Sequence, residues 1–269
     1  MQDHFSISIL GARGSVPVSG PDYLKYGGHT LSVLVRINDD VVLLDAGTGL
    51  LNFDISRSSG EQPIALLLSH SHIDHLLGLP LWPFLFDPSN RIRIYGKSRD
   101  GLTVEEQVGR FLSPPLWPVG VDVLPASIEF FALPDVLELK DVTVHAMEGC
   151  HAGGVSIFRI IHHGKSVVYM TDCTIESPIK KELLAFADHC DLLLCDGQYA
   201  PEEWEAHADF GHNTWQQAAE FGKACGAKTV RVLHHDPTHT DALLSHAEMQ
   251  LSSAYPNCQF AFEGEEIVL

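Results

Sequence analysis

The sequence predicts an α/β fold, an αββα sandwich, on three observations. Short apolar runs of strand length recur in both halves of the chain. Helix-like segments with their own start and stop signals follow several of these runs. No linker, repeat or low-complexity stretch divides the 269 residues, so one domain over 1–269 is expected. Hydrophobic residues make up 45% of the chain and charged residues 19%, enough apolar material for a sizeable core.

Residues 5–10 alternate apolar and polar side chains, as a strand facing one core does. A loop follows at 11–17, whose glycines permit a tight turn. Arg13 in it reads as a solvated loop charge, with contact to an anionic substrate as the alternative. A turn at 26–30 leads into a strand at 31–37, and Asn38-Asp39-Asp40 turns the chain into a buried strand at 41–44. Asp45 ends that strand. It either orients a ligating histidine from behind or caps the next turn. Gly47 and Gly49 lack the third glycine of a dinucleotide fingerprint.

The apolar run 64–68 is a buried strand, and His70, His72, Asp74 and His75 follow it within six residues. Imidazole and carboxylate are the ligands a zinc-like divalent ion prefers. In extended chain His70 and His72 point the same way and can bind one ion. Asp74 and His75, projecting from the first turn of a following helix, can serve a second. Residues 76–86 are mostly apolar and read as a helix packed on the sheet. A strand at 91–95 precedes a helix at 103–111, with Thr103 as cap and Glu106 completing a capping box. Residues 113–119 hold three prolines and cannot be regular structure. They wall a pocket, make a dimer contact or merely connect.

Strands at 128–131 and 142–147 lead to a loop carrying His151. A hairpin over 155–170 ends at Asp172, and Pro178 starts a helix to about 187. The strand 192–195 ends in Asp196. Asn213 or Thr214 caps a helix that stops at Gly226, and the strand 229–233 ends in His234 and His235. Thr240 caps a last helix to about 254. Ligand-type residues thus recur where strands end, and strand ends on one sheet edge converge in space.

The formal charge of −18 disfavours long polyanions, whose phosphates need Lys and Arg. The six cysteines form no CxxC pair, and reduced thiols in a cytoplasm fit them best. Cys150 and Cys173 flank ligand candidates but read as small buried apolar residues. The N-terminus lacks signal-peptide features, and no apolar run reaches membrane-spanning length.

His-x-His-x-Asp-His at 70–75, then His151, Asp172 and His234, in that order, resembles the metallo-β-lactamase fold superfamily. The resemblance implies a metallo-β-lactamase-like hydrolase fold with two ions. His70, His72 and His151 would hold one, and Asp74, His75 and His234 the other. Asp172 would bridge both, and a hydroxide would sit between the ions. Residues 11–21, Tyr26-Gly27-Gly28-His29-Thr30, Asp196-Gly197-Gln198-Tyr199, Gly211-His212-Asn213-Thr214 and His234-His235-Asp236-Pro237 resemble the phosphodiesterase branch. That branch holds ribonuclease-Z-like proteins and cyclic-nucleotide phosphodiesterases, and it commonly dimerises. His29 departs from the Asn such relatives often show, which bears on the pocket entrance. His235 stays open as an alternative to His234.

The function expected from these residues is dinuclear-metal hydrolysis of a small phosphodiester, with a cyclic nucleotide as best guess. The metal is most readily Zn²⁺, though Mn²⁺ and Fe²⁺ suit the same donors. Two ions can clamp phosphate oxygens and activate water. His212 is the candidate acid for the leaving oxygen, oriented by Asp196, with Asp74 completing the catalytic set. Transfer-RNA 3′ processing is the alternative, set lower because no Lys/Arg/Gly-rich arm is present. A non-catalytic, metal-stabilised sensing domain is the third reading, and the intact ligand set argues against it.

Overall fold

A computed structural model of the chain describes residues 4–54 and 62–269. Strands β1 (Phe5–Gly11), β2 (Ser32–Ile37), β3 (Asp40–Leu44), β4 (Ile64–Leu67), β5 (Arg91–Gly96) and β6 (Ser127–Ala132) build one sheet in sequence order. Strands β7 (Val136–Glu138), β8 (Thr143–Gly149), β9 (Val155–His162), β10 (Lys165–Met170), β11 (Leu192–Asp196), β12 (Thr229–Leu233) and β13 (Cys258–Phe260) build the second. The final strand, β14 (Glu266–Val268), returns to pair with β1.

Side-chain alternation explains the layering. In β10 and β11, Val167, Tyr169, Leu192 and Leu194 join a core that also holds Ile7, Val33, Leu44 and Leu67 of the first sheet. Their neighbours Val168, Met170, Leu193 and Cys195 face the other way. There they meet α2 (Lys181–Ala187), α3 (Trp215–Ala224) and α4 (Asp241–Ala254). On the far side of the first sheet, Leu43, Leu66 and Ile94 pack with α1 (Val104–Phe111). Strands buried on both faces read as continuous apolar runs, as these do. The result is the expected αββα sandwich.

Strand direction places the site. β3 to β6 run parallel to one another, as do β10 to β13. β8 and β10 are each antiparallel to β9 and so share a direction. The carboxyl ends of β8, β10, β11 and β12 therefore lie on one edge, with His151, Asp172, Asp196 and His234 just beyond or at them. Asp45 and His70 follow β3 and β4 in the same way. A hydrogen bond from Ser156 N to Ser69 O (2.9 Å) joins the two edges.

Three expectations need correction. Residues 76–86 form no α-helix but two 3₁₀ turns, Leu79–Leu81 and Pro83–Phe86. Pro80 and Pro83 each remove an amide donor that a continuous helix would use. The helix expected from Pro178 begins only at Lys181, after Lys180 in extended conformation. Arg13 is neither solvated nor at the ligand cluster. It is fully buried and donates to the carbonyls of Gly27 (2.7 Å), Asp236 (3.1 Å) and His239 (2.7 Å), tying three loops together. The capping boxes of Thr103 with Glu106 and Thr214 with Gln217 are formed. Among the described residues no helix is long and apolar enough to cross a membrane.

Candidate metal centre

Beyond β4 the chain bends at Ser69, is extended at His72, and then tightens into a 3₁₀ turn, Ile73–His75. The change of conformation splits the four ligand candidates into two sets. The rings of His70, His72 and His151 have centroids 4.4, 5.0 and 4.9 Å apart, and His72 Nδ1 lies 3.1 Å from His151 Nε2. Nitrogens of all three fall within 4.8 Å of one another, and the ligand atoms of Asp74, His75 and His234 do likewise. Asp172 spans both sets. Its Oδ1 lies 3.9 Å from His70 Nε2, 3.8 Å from His151 Nε2 and 3.3 Å from His234 Nε2, and its Oδ2 lies 3.3 Å from His75 Nε2.

Backbone conformation at the strand ends aims these side chains. Asp45, Asp172 and His234 all have positive φ, at 58°, 51° and 66°. Asp and His tolerate this region better than most residues, and its use at three converging strand ends marks a functional edge.

Four of the five rings, those of His70, His75, His151 and His234, are held from Nδ1, which fixes the ring and leaves Nε2 for the cluster. His70 Nδ1 pairs with Ser69 Oγ (3.0 Å) and His75 Nδ1 with Asp45 Oδ2 (2.9 Å). His151 Nδ1 pairs with Gly211 O (3.2 Å) and His234 Nδ1 with Gln198 Oε1 (3.0 Å). Asp45 therefore takes the orienting role. It also accepts from Ser69 N, Ser69 Oγ and Tyr169 OH at 2.7–2.8 Å. Gln198, Ser69, Tyr169 and Gly211 were not singled out from the sequence for these roles. Only the Asp-Gly-Gln-Tyr run at 196–199 hinted at Gln198.

Whether these residues suit a cation is tested by what they leave unpaired. His70 Nε2 and His75 Nε2 are buried and make no hydrogen bond, although carboxylate oxygens stand 3.3–3.9 Å away. Orphaned buried acceptors facing carboxylates fit a shared divalent ion. Electrostatics agree. Burial lowers His70, His72 and His151 below the ordinary histidine range, favouring the neutral, ligating form. Burial opposes charge on His75 and His234 as well, but Asp74 and Asp172 outweigh it and raise both, His234 to about 9. Asp74 and Asp172 resist desolvation because His75 and His234 hold them well below the carboxylate range. The carboxylates that raise His75 and His234 would equally attract a cation.

His212 borders this cluster. It is buried, with Nδ1 2.9 Å from Asp196 Oδ2 and 3.7 Å from Asp172 Oδ1. Its ring stacks on that of His234 at 4.8 Å. Asp196 also accepts from Asn213 N (2.9 Å), so both its oxygens are held. His235 lies outside the cluster. Its Nε2 donates to Ala261 O (2.8 Å), and burial pushes its pKa down to about 3. Of the two, His234 and not His235 stands in the ligand groups. Burial pushes the Cys173 thiol up to about 12, and among the described residues no cysteine joins the ligand groups. Cys150, expected to be buried, is exposed. His29 pairs with Glu263 (2.9 Å) near the carboxyl end of the chain and touches none of the ligand candidates.

The family described as "Beta-lactamase superfamily domain" matches residues 41–235. The chain is similar to Ribonuclease Z of Picrophilus torridus, with 26% identity over 95% of this chain and 94% of the relative. It is similar to Ribonuclease Z of Halobacterium salinarum at 24% identity, covering 85% and 86%. Among solved structures it resembles the metallo-β-lactamase fold protein YhfI of Bacillus subtilis, with TM-score 0.74, 18% identity and 99% and 100% coverage. Human tRNase Z, short form, superposes with TM-score 0.69, 18% identity and 97% and 98% coverage. A diphosphatase of the PhnP family superposes with TM-score 0.70, 19% identity and 99% and 97% coverage.

Proposed function

Because the chain belongs to the beta-lactamase superfamily, we propose that it is a metal-dependent hydrolase of phosphodiesters, with one domain over 1–269 as its body. The carrying observation is the pair of ligand sets joined by Asp172, with the His212–Asp196 pair against them. His70, His72 and His151 would hold one divalent ion, Asp74, His75 and His234 the other, and Asp172 would touch both. Ions held there supply Lewis acidity toward phosphate oxygens and make water a nucleophile at neutral pH. His212, with Nδ1 bonded to Asp196, has Nε2 left to give a proton to the leaving oxygen. Zinc suits these donors, and manganese or iron suits them too.

The relatives support transfer-RNA 3′ processing better than the cyclic-nucleotide expectation, since the curated relatives are named Ribonuclease Z. The expectation that long nucleic acid is disfavoured, drawn from net charge and the lack of a Lys/Arg/Gly-rich arm, is corrected accordingly. A small phosphodiester remains the second reading on one observation. Arg93, Lys97 and Arg99, part of the densest basic group, are paired with Glu129, Asp135 and Glu148. The test is hydrolysis of bis(p-nitrophenyl) phosphate with and without chelator, then of precursor transfer RNA and cyclic mononucleotides. Chelator-sensitive hydrolysis is the expected result, and its absence with zinc, manganese and iron alike overturns the reading.

A further inference from the structure

A cavity of about 370 Å³ opens directly beside His70 and His72. That is near the lower end of the ~300–1,000 Å³ typical of small-molecule sites, and fits one compact group rather than a chain. We propose that this cavity seats the nucleoside carried on one ester oxygen of the substrate, and so sets which phosphodiesters are accepted. The proposal rests on the phosphodiesterase reading and adds the group that flanks the phosphate.

The walls come from segments the fold brings to the ligand cluster. Leu76 follows the 3₁₀ turn of the metal candidates, Leu102 and Phe111 bracket α1, and Leu116 sits in the proline-rich loop. That loop, which the sequence leaves open between pocket wall, dimer contact and connector, contributes Leu116 to the cavity wall. Leu116 is 71% exposed and Ile73 56%, and both line the cavity. Large exposed apolar side chains in a cavity lining are a surface that a planar apolar ligand would cover.

The cavity is joined rigidly to the ligand cluster. Ser71, between His70 and His72, donates to Gln107 Oε1 of α1 at 2.5 Å. The Gln107 amide donates to Lys97 O (3.0 Å) and Leu102 O (2.9 Å). One side chain thus holds the metal turn, α1 and the loop between β5 and α1 in register. Two guanidiniums, Arg99 and Arg110, line this cavity together with Asp100. Arg99 is anchored by Glu148 and by Ser156 Oγ (3.1 Å). Arg110 stands exposed at the end of α1 beside Phe111. A guanidinium and a phenyl ring both stack on planar heterocycles, and such stacking tolerates any base.

The test compares two ligands with the same phosphate on the same sugar. Zinc-loaded protein is titrated calorimetrically with AMP and with ribose 5-phosphate, so that any phosphate–metal contribution cancels. AMP is expected to bind about tenfold tighter or more. Leu116→Ala and Arg110→Ala, both at exposed positions, are expected to pull the ratio toward one, with metal content and thermal midpoint checked alongside. Equal binding of the two ligands by the unaltered protein overturns the proposal, as does an unchanged ratio in both variants. An AMP preference without hydrolysis of any diester would keep the cavity assignment and sink the phosphodiesterase reading. Hydrolysis without that preference would do the reverse.

Discussion

Asp172 is the residue on which the two ligand sets depend together. One carboxylate lies within 3.9 Å of four histidine nitrogens drawn from both sets. Asp172→Ala should therefore lower both occupancies, from about two ions per chain to fewer than one by metal analysis. Loss of a single ion would show the sets to be independent. His212 makes a separable prediction. His212→Ala should keep its metal and lose about 10²-fold in rate on a diester with a poor leaving group. With a nitrophenolate, which needs little protonation, the loss should be far smaller, and equal losses would remove His212 as the proton donor. The ligand candidates are legible in the sequence because they sit close together or directly after apolar runs. Their supports are not. Tyr169 reaches Asp45 across 124 residues of chain, and Gln198 reaches His234 across 36, through contacts that no local pattern encodes.

At the scale of elements, the site is a set of strand ends and the turns that pack on them. The turn carrying Asp74 and His75 approaches the end of β3 so closely that Gly78 N donates to Ala46 O at 2.8 Å. A Cβ on Gly78 would lie 2.1 Å from the carbonyl oxygen of Gly47, a backbone atom that cannot swing away. Gly78→Ala should cost about 1–3 kcal/mol in denaturant unfolding and weaken metal retention, because the displaced turn holds ligands of the second set. An unchanged midpoint and metal content would show that the turn has slack. The turn at 26–30 makes a pH-dependent prediction. His29 is raised by its bond to Glu263, which outweighs burial, while Glu263 resists desolvation and is lowered by His29. The histidine contribution is complete below its ordinary value of 6.5 and fades as pH rises through the folded value. The carboxylate contribution is complete above its ordinary 4.5 and fades as pH falls through the folded value. His29→Asn should thus destabilise most between about pH 4.5 and 6.5, by less than ~1 kcal/mol given the exposure of the pair, and less at pH 8.5. Thermal midpoints at pH 5.5 and 8.5 check this. Strands and capped helices were legible here, since alternation and capping boxes are local signals. The stretch 76–86 was not, because apolar content outweighed what Pro80 and Pro83 forbid. The short strands β7, β13 and β14 have only three residues each, too few to show a period.

On the scale of the molecule, the sandwich and its working edge follow from chain direction, which apolar runs alone do not specify. The sequence shows that ligand-type residues follow strands. Only the parallel runs β3–β6 and β10–β13 show why they meet. Charge is legible throughout, but what it excludes depends on where the cations lie. Of the group Arg91, Arg93, Lys97 and Arg99, the last three stand against carboxylates in the folded chain. A long RNA would therefore find these three cations already engaged, and Arg110 beside the ligand cluster could meet about one phosphate. Each neutralised phosphate contributes a slope of roughly −0.7 to −0.9 in log K against log salt. For precursor transfer RNA, three or fewer contacts predict a slope no steeper than about −3, measured by filter binding with cleavage suppressed by chelator. Turnover of a cyclic mononucleotide, with about one charge lying against the metal centre, should be nearly independent of salt between 50 and 200 mM, on the order of twofold or less. A transfer-RNA slope near −6 or steeper would mean that a basic surface is assembled despite the net charge of −18. The pairing of Arg93, Lys97 and Arg99 would then be broken on binding, and Glu129→Gln, which releases Arg93, would tighten the RNA without touching the ligand cluster.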